Sequence, residues 1–463
     1  MSNIILPANS AADSGVELRV PNALNFMGAT DNARFSRTNA SGGSTTKATL
    51  SAWIKYSGNV SQSVPIFMSP DSSGQNRFYI NITSSEELGG TFRDPDCDFS
   101  ATNDEKLRDP AAWYHIVAVI NTNDGTAADR LKIYVNNRRI TLTFASGGGL
   151  SSGANIHFNT NGYKNVFGYN DITNDGVGNL TDMYFSEVIK CDGQVLAPTD
   201  FAETDSDTGI WVPKTGLADS LTFGTTGYYY NFSDSSDLAN DASSNNNDAS
   251  AINNTTQSLD TPSNNFATLN SVSNINQGTL SEGNLKVSSS SAYKVCPSTI
   301  SVSSGKWYVE NKITGSSIDI MLGVIDVDDY QNAASINYVG TNTNSVGYYK
   351  DGRKFVGNSA SSYGASYTTD DIIGIALDLD SGTKTITFYK NNASQGAISL
   401  PSGGLQEYLF LPSPYNGGIE VNFGNPQFSG TDKADENGYG SFEYTPPAGF
   451  LSLCTANLSE VNS

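Results

Sequence analysis

The stretch DIIGIALDLDSGTKTITFYKNN, residues 371–392, decides the fold class of this chain. Apolar and polar residues alternate on both sides of Asp380-Ser381-Gly382. Alternation with a period of two places every second side chain on the same face of a β-strand, and a short Asp- and Gly-containing segment reverses the chain. The stretch therefore predicts an antiparallel hairpin.

The same pattern continues outward in both directions. YYKDGRKF is predicted to turn at Asp351-Gly352, and RLKIYVNNRRITLTF at Asn136-Asn137, since Asn tolerates the positive φ of tight turns. WYHIVAVI (113–120) is apolar on both faces, which places it inside a two-layer structure. The fold class predicted is all-β, with two antiparallel β-sandwich (jelly-roll) domains joined by an extended linker.

Composition and charge exclude several classes of protein. The chain has 463 residues, with 26 Lys plus Arg against 47 Asp plus Glu and a net charge of −21. Without clustered cations, nucleic acid and anionic membrane surfaces are poor partners. No window approaches about 18 consecutive apolar residues, and MSNIILPANSAADSG lacks the pattern of a secretory signal. We therefore expect synthesis in a cytoplasm and no membrane insertion.

The domain organisation follows from the distribution of strand-like segments. Residues 231–265 are dense in Asn, Ser and Asp, and cannot build a core by themselves. They form either a flexible linker or, as we prefer, an extended strap along the flanking domains. Its candidate anchors are Phe232, Leu238, Ile252 and Leu259. The boundaries predicted are 1–25 for an N-terminal attachment arm, 26–215 for the first sandwich, 216–265 for the linker strap and 266–463 for the second sandwich with a C-terminal signature.

Segments in both halves of the chain resemble known protein modules. ATLSAWIKYSG, WYHIVAVINTNDGTAADRLKIYVNNRRI and the region from FGYNDITNDGVGNLTD to GIWVPK together resemble the laminin-G/concanavalin A-like jelly-roll modules of phage structural proteins. SSGKWYVENKI, IMLGVIDV, GYYKDGRKF, residues 371–392 and IEVNFGNPQF resemble a SPRY-type sandwich. The ending GYGSFEYTPPAGFLSLCTANL resembles a C-terminal signature of tail-fibre-like proteins.

The resemblance implies a virion protein of a bacteriophage. The expected function is that of a tail fibre or receptor-binding component for host attachment, which recognises a host-surface glycan or protein without catalysis. A capsid-decorating or head-fibre protein is one alternative, and a glycan depolymerase is another. The N-terminal arm would contact other virion proteins, and a homo-trimer is expected because fibres are usually threefold.

Catalytic signatures are weak in this sequence. Its two histidines, His115 and His157, lie in strand-like or turn-like segments, and we interpret His115 as a packed or hydrogen-bonded strand residue. No GxSxG or HExxH motif is present. Acidic turns such as Asp326 with Asp328 could supply the paired carboxylates of a glycosidase, but turn chemistry and solubility explain them as well. The sequence therefore predicts a protein that is not an enzyme.

One acidic loop offers oxygen ligands for a metal. Asp171, Asn174 and Asp175 lie within NDITNDG, and Asp182 follows shortly after. Ca²⁺ prefers clustered carboxylate, amide and carbonyl oxygens, and laminin-G-like modules often hold calcium at one rim. Calcium is the one cofactor that the sequence suggests, and a solvated acidic loop is the other interpretation.

The SPRY resemblance directs attention to loops at one end of the second sandwich. Tyrosine rings in such loops could stack on sugars or contact a protein receptor, although Tyr in a sandwich is often a packing residue. The candidate ligand-binding residues are Asp329, Tyr330, Tyr348, Tyr349, Tyr363, Tyr367 and Tyr415.

Overall fold

A computed structural model describes most of the chain. The described residues are 18–26, 34–58, 63–70, 76–92, 97–101, 106–145, 149–168, 182–206, 208–315, 318–426, 428 and 431–461. They form two compact units, the first ending at Ser263 and the second beginning at Asn264. We call them the first and the second domain. Most of the predicted attachment arm, 1–17, lies outside the described residues.

The first domain is built from short strands. They are β1 Ala23–Phe26, β2 Arg34–Thr38, β3 Lys47–Tyr56, β4 Val64–Pro70, β5 Asn76–Ile82, β6 Leu88–Phe92, β7 Cys97–Ala101, β8 Tyr114–Asn121, β9 Leu131–Val135, β10 Arg138–Arg139, β11 Leu142–Phe144, β12 Lys164–Phe167, β13 Met183–Asp192, β14 Ala202–Thr204, β15 Trp211–Pro213, β16 Tyr228–Tyr230, β17 Ala251–Asn253 and β18 Thr255–Ser258. One short helix, α1, spans Leu217–Ser220, and 3-10 helices span Ala127–Asp129, His157–Asn159 and Pro198–Asp200 in the described part of this domain.

Two antiparallel sheets enclose the core of the first domain. One has the order β10-β9-β8-β3-β13-β1-β18, with β16 also paired to β13, and the other has the order β11-β7-β6-β5-β4-β12-β2-β17. Ile54, Ile116 and Phe185 of the first sheet and Phe67 and Phe78 of the second lie in one buried cluster. The predicted hairpin at Asn136-Asn137 is present as β9–β10, with φ values of 46° and 67° at the turn.

The connector predicted at 216–265 belongs to the first domain. Within it, β16 pairs with β13, β17 with β2 and β18 with β1. Phe232 is buried in the core, and Leu238 and Ile252 pack against it. The unit therefore ends well beyond residue 215, because backbone pairing at open sheet edges holds a segment that has little apolar surface.

The second domain repeats the architecture. Its strands are β19 Thr279–Ser281, β20 Lys286–Ser289, β21 Lys306–Thr314, β22 Asp319–Asp326, β23 Ser345–Tyr349, β24 Arg353–Val356, β25 Ser359–Ser362, β26 Ile372–Asp378, β27 Thr385–Lys390, β28 Ala393–Ser399, β29 Tyr408–Phe410, β30 Ser413–Tyr415, β31 Gly417–Asn422, β32 Lys433–Ala434 and β33 Ser441–Phe442. Two helices complete its described part, α2 Val327–Asn332 and α3 Thr455–Val461.

The stretch 371–392 forms the predicted hairpin. β26 and β27 pair antiparallel, with Leu377 opposite Ile386. They lie in the sheet β19-β20-β31-β21-β26-β27-β28, which packs against the sheet β25-β24-β23-β22-β29, where β30 also pairs with β22. The hairpin predicted at Asp351-Gly352 joins β23 to β24. The fold class is thus all-β and antiparallel.

A second apolar layer covers the outer face of β22. Ile320, Leu322 and Val324 face the core between the sheets, whereas Met321 and Ile325 face outward and join a separate buried cluster. Residues from two loops, such as Val295, Ile336 and Val339, complete that cluster. This outer layer positions the candidate site described next.

Candidate binding site

Two of the predicted ligand-binding tyrosines lie in the core of the second domain. Tyr348 is 0% exposed and Tyr367 is 4% exposed. The Tyr367 hydroxyl lies 2.9 Å from the carbonyl oxygen of Tyr348, and the Tyr348 hydroxyl donates to the carbonyl of Ala365. Side chains without exposed surface cannot contact an external ligand, so these two residues position the loop before β26 instead.

The contrast between Tyr348 and Tyr349 follows from strand geometry. They are neighbours in β23, so their side chains point to opposite faces of the sheet. Tyr348 lies opposite Leu322 and faces the core, whereas Tyr349 lies opposite Met321 and faces the outer layer. The alternation of a strand implies that one of these two tyrosines faces the core. The pairing of β23 with β22 decides which of them it is.

Tyr363 is half-buried and engaged within the chain. Its ring packs edge-on against Tyr348 and Phe388, with centroid distances of 5.3 and 6.0 Å. Its hydroxyl donates to the Gly396 carbonyl at 2.5 Å and accepts from the Phe388 amide at 3.3 Å. The side chain thereby joins its loop to β27 and β28.

The two remaining strand tyrosines, Tyr349 and Tyr415, belong to a cluster that we call the tyrosine patch. Its members are half-buried aromatic residues: Tyr293, Tyr338, Tyr349, Phe355 and Tyr415. Ring centroids lie 4.8 Å apart for Tyr293 and Tyr338, and 5.2 Å apart for Tyr293 and Tyr415. Phe355 contacts Tyr338 at 5.9 Å and Tyr349 at 6.2 Å. The patch therefore presents partly exposed rings side by side.

Charged groups of both signs border the patch. The exposed Arg353 guanidinium lies 5.3 Å from the Tyr349 ring centroid and 5.5 Å from that of Phe355. Burial, with the nearby Asp319 carboxylate, raises the pKa of Tyr349 to about 12, so its hydroxyl stays protonated. Lys350 lies 3.9 Å from that carboxylate. The rings are thus flanked by hydrogen-bond donors and acceptors.

Asp329 and Tyr330 lie on α2. The Asp326 side chain caps this helix by accepting from the Asp328 amide at 2.9 Å. The Asp329 carboxylate accepts from the amide and the side chain of Asn344, at 2.6 and 3.1 Å. Asp329 therefore holds the loop before β23 and is not a member of the tyrosine patch.

Tyr330 lines a surface cavity that we call the α2 cavity. Its volume is about 440 Å³, and its walls come from α2 and from the loops around residues 270–275 and 297–299. The Tyr330 hydroxyl is hydrogen-bonded to that of Ser273. No sequence pattern predicts this cavity, because the loop segments that complete it lie far from α2 along the chain.

The predicted calcium ligands lie largely outside the described residues. Asp171, Asn174 and Asp175 fall in the undescribed range 169–181. Asp182 is half-buried, and its carbonyl accepts from the Ser57 amide at 3.2 Å. Within the residues that the structure describes, no group of three or more His, Cys, Asp or Glu could hold a metal ion. Calcium binding stays a prediction.

His115 of the first domain is a buried strand residue. Its ring stacks on Trp53 at 4.7 Å, and its Nδ1 accepts from the Trp211 indole at 3.1 Å. Its Nε2 lies 2.8 Å from the Ser51 hydroxyl. Burial lowers the pKa of His115 to about 3, so the ring is neutral and bridges the two side chains.

A buried ion pair, which sequence reasoning missed, lies in the same domain. The Lys55 ammonium is 2.6 Å from Asp260 Oδ2, and both side chains are at most 1% exposed. The Trp113 indole donates to Asp260 Oδ1 at 2.9 Å. The hint in the sequence was Lys55, because residues 48–56 are otherwise apolar or small.

Comparisons with known protein families identify both domains. A model of the concanavalin A-like lectin/glucanases superfamily (Laminin_G_3) matches residues 27–167. A model of the SPRY domain matches residues 306–425. The first domain is concanavalin A-like, and the second is a SPRY domain. Among curated proteins, none matches the chain.

Solved structures are similar to parts of this chain. A human SPRY domain aligns with 30% of this chain and 90% of its own, at 20% identity and a TM-score of 0.25. A heptameric SAP-like pentraxin from Limulus polyphemus aligns with 40% of this chain and 80% of its own, at 17% identity and a TM-score of 0.31. Stonustoxin aligns with 34% of this chain and 27% of its own, at 19% identity and a TM-score of 0.26.

The helices of the described residues are short. None of them is long and apolar enough to cross a membrane.

Proposed function

We propose that this protein is a non-enzymatic adhesion protein whose SPRY domain binds a host-surface glycan or protein through the tyrosine patch. The observation that carries the proposal is the cluster of half-buried rings bordered by Arg353, Lys350 and Asp319. Rigid aromatic rings supply contact area at low entropic cost, and the flanking charges supply orientation. Such a surface suits recognition.

The setting that we propose is a phage virion. The two modules in series, the C-terminal segment GYGSFEYTPPAGFLSLCTANL and the acidic composition support a tail fibre or receptor-binding component. Its partners would be other virion proteins at the N-terminal arm and two further copies of itself. Cryo-electron microscopy of the particle tests this: density on the capsid lattice instead of the tail would favour a capsid-decorating or head-fibre protein.

Attachment of the full chain to host cells tests the binding role. Tyr415→Ala removes one ring of the patch, and we expect apparent affinity to fall about tenfold or more, as for an aromatic anchor residue. Tyr389→Ala is the matched control, because Tyr389 is also half-buried but lies on β27 of the other sheet. Equal affinities of the two variants would remove the patch from the proposal.

Glycan cleavage is the competing function. Incubation of the purified chain with host envelope polysaccharide, followed by measurement of new reducing ends, distinguishes it from adhesion. We expect no release, and a steady release that depends on protein concentration would establish a depolymerase.

A further inference from the structure

The α2 cavity has the size of a small-molecule site, and its lining is mainly polar. Its volume of about 440 Å³ falls in the range of about 300–1,000 Å³ that ligand pockets occupy. Pro297, Leu409 and Ile275 contribute apolar surface to it. Leu409 belongs to the outer apolar layer, and Ile275 packs against it, so this layer supports the apolar wall of the cavity.

Unpaired amides stand around the cavity. Asn274 and Gln331 are exposed lining residues, and their side chains make no hydrogen bond to the described chain. Asn332 donates to the Asp328 carboxylate at 2.7 Å, which fixes its orientation and leaves its Oδ1 as an acceptor. The carboxamides of Asn274 and Gln331 each offer donors and an acceptor, whereas Asn332 offers only its acceptor, because its NH₂ group donates to both the carboxylate and the carbonyl of Asp328. The cavity therefore presents several neutral hydrogen-bonding groups.

Hydroxyl groups line another part of the cavity. Tyr330 and Ser273 are hydrogen-bonded to each other. Thr299 Oγ1 accepts from the Thr268 amide at 3.0 Å, so its own O–H remains available as a donor. These hydroxyls and the amides come from three separate segments that the fold brings together.

The charge of the lining narrows the class of ligand. All thirteen lining residues, each of them in the described part of the chain, are uncharged. Phosphate and carboxylate ligands are usually held by Arg or Lys. Cationic ligands are usually held by acidic groups or a cage of aromatic faces, and this lining has one aromatic residue, Tyr330. A neutral ligand with many hydroxyls and an apolar C–H face fits amides, hydroxyls and an apolar wall together.

We propose that the α2 cavity is a subsite for a neutral carbohydrate unit, separate from the tyrosine patch. No residue is shared between the lining of the cavity and the patch. The inference rests on the proposed function in that the sugar is sought among host-surface glycans. A peptide is the competing ligand, and the experiment includes one.

Saturation-transfer NMR and calorimetry on the full chain supply the test. The probes are glucose, galactose, mannose, rhamnose, N-acetylglucosamine, lactose and chitobiose, with glucuronate, N-acetylneuraminate and an uncharged Asn- and Ser-rich peptide as comparisons. Ala334→Trp places an indole at the cavity from an exposed lining position. Ala360→Trp is the matched control, because Ala360 is exposed on β25 and does not line the cavity.

We expect at least one neutral sugar to bind and both acidic sugars to fail. Ala334→Trp should weaken that binding about tenfold or more, and Ala360→Trp should leave it within about twofold. The double variant Asn274→Ala with Gln331→Ala should weaken it about tenfold or more as well, since it removes the hydrogen-bonding groups of two carboxamides. This double variant decides the question if Ala334→Trp changes the thermal midpoint of the protein.

Three results would overturn the subsite: no neutral sugar binds, the variants leave binding unchanged, or only the peptide binds in a manner sensitive to Ala334→Trp. The test separates the two proposals. If no sugar binds but Tyr415→Ala abolishes cell attachment, the subsite fails and the proposed function stands. If a sugar binds the cavity but Tyr415→Ala leaves attachment intact, the role of the patch fails and the subsite stands.

Discussion

In each domain a buried carboxylate near the C-terminal end of the domain ties its own segment to the rest of the fold. The groups that neutralise this carboxylate differ between the two domains. In the concanavalin A-like domain, Asp260 pairs with the Lys55 ammonium at 2.6 Å. In the SPRY domain, Asp435 has only neutral donors within the described residues: the amides of Tyr439, Gly440 and Ser452, the Ser452 hydroxyl and the Asn457 side chain. The same task is performed by an ion pair in one domain and by a ring of dipoles in the other.

The two domains also differ in what they leave exposed. The first encloses further titratable groups, and Glu187 is an example: it lies in an irregularity of β13, with a φ of 51° and a hydrogen bond from Tyr229 at 2.5 Å. Within the described residues of the second, the α2 cavity and the tyrosine patch remain open to solvent. Both domains therefore enclose titratable groups, since Glu310 and Asp435 of the second domain are buried as well, and the second domain also leaves polar and aromatic groups open to solvent.

Removal of the counter-charge should have the largest effect. Asp260→Ala leaves the Lys55 ammonium buried without its carboxylate, and we expect a loss of about 3–5 kcal/mol in the stability of the first domain. Hydrogen exchange of peptides from β3 and β8 measures it. The double variant Lys55→Met with Asp260→Leu should recover most of the loss. A loss below about 1 kcal/mol for Asp260→Ala would show that the pair is solvated.

The buried Glu187 and Lys190 should give the first domain a stability minimum near neutral pH. Burial raises the pKa of Glu187 from 4.5 to about 7, so its contribution is full below about pH 4.5 and is lost by about pH 7. Burial lowers the pKa of Lys190 from 10.5 to about 7, so its contribution is full above about pH 10.5 and is lost as the pH falls to about 7.

Single substitutions at Glu187 and Lys190 separate the acidic and the alkaline parts of this dependence of stability on pH. Glu187→Gln keeps an acceptor for Tyr229 and should remove a pH dependence of roughly 3 kcal/mol on the acidic side. Lys190→Met should flatten only the alkaline side. Hydrogen exchange of peptides from β3 and β8 between pH 4 and 10, which reports the first domain, measures both. Parallel profiles for wild type and Glu187→Gln would contradict the assignment.

Sequence reasoning succeeded where local pattern and tertiary structure agree. The hairpin at 371–392 could be predicted because alternation and turn chemistry point to the same structure. The pairing of β16 to β18 could not, because their partner strands lie far away along the chain. In addition, β16 depends on Asp241, which accepts from the Tyr229 amide at 2.7 Å. The place of Tyr293 in the tyrosine patch could not be predicted from the sequence either, because it depends on a loop that folds over β22.

Asp435 tests whether dipoles alone can hold a buried carboxylate. Asp435→Asn places an NH₂ group against N–H and O–H donors in either amide orientation, and we expect a loss of about 2 kcal/mol. Exchange of amides in 435–457 should rise accordingly. The control is Asp432→Asn, because Asp432 is exposed and accepts only from the Ser441 hydroxyl at 3.1 Å in the described chain. Equal effects of the two variants would contradict a specific role for Asp435.

The smallest effect is expected at the α2 cavity, where one hydroxyl pair links α2 to the neighbouring loop. Tyr330→Phe removes the bond to Ser273, and the stability of the SPRY domain should fall by about 1 kcal/mol. Tyr338→Phe is the control, because the described residues give the Tyr338 hydroxyl no hydrogen bond. Thermal unfolding compares the two. If Tyr330→Phe is neutral, Ser273 is free to bind water or ligand, and the cavity wall is adaptable rather than preformed.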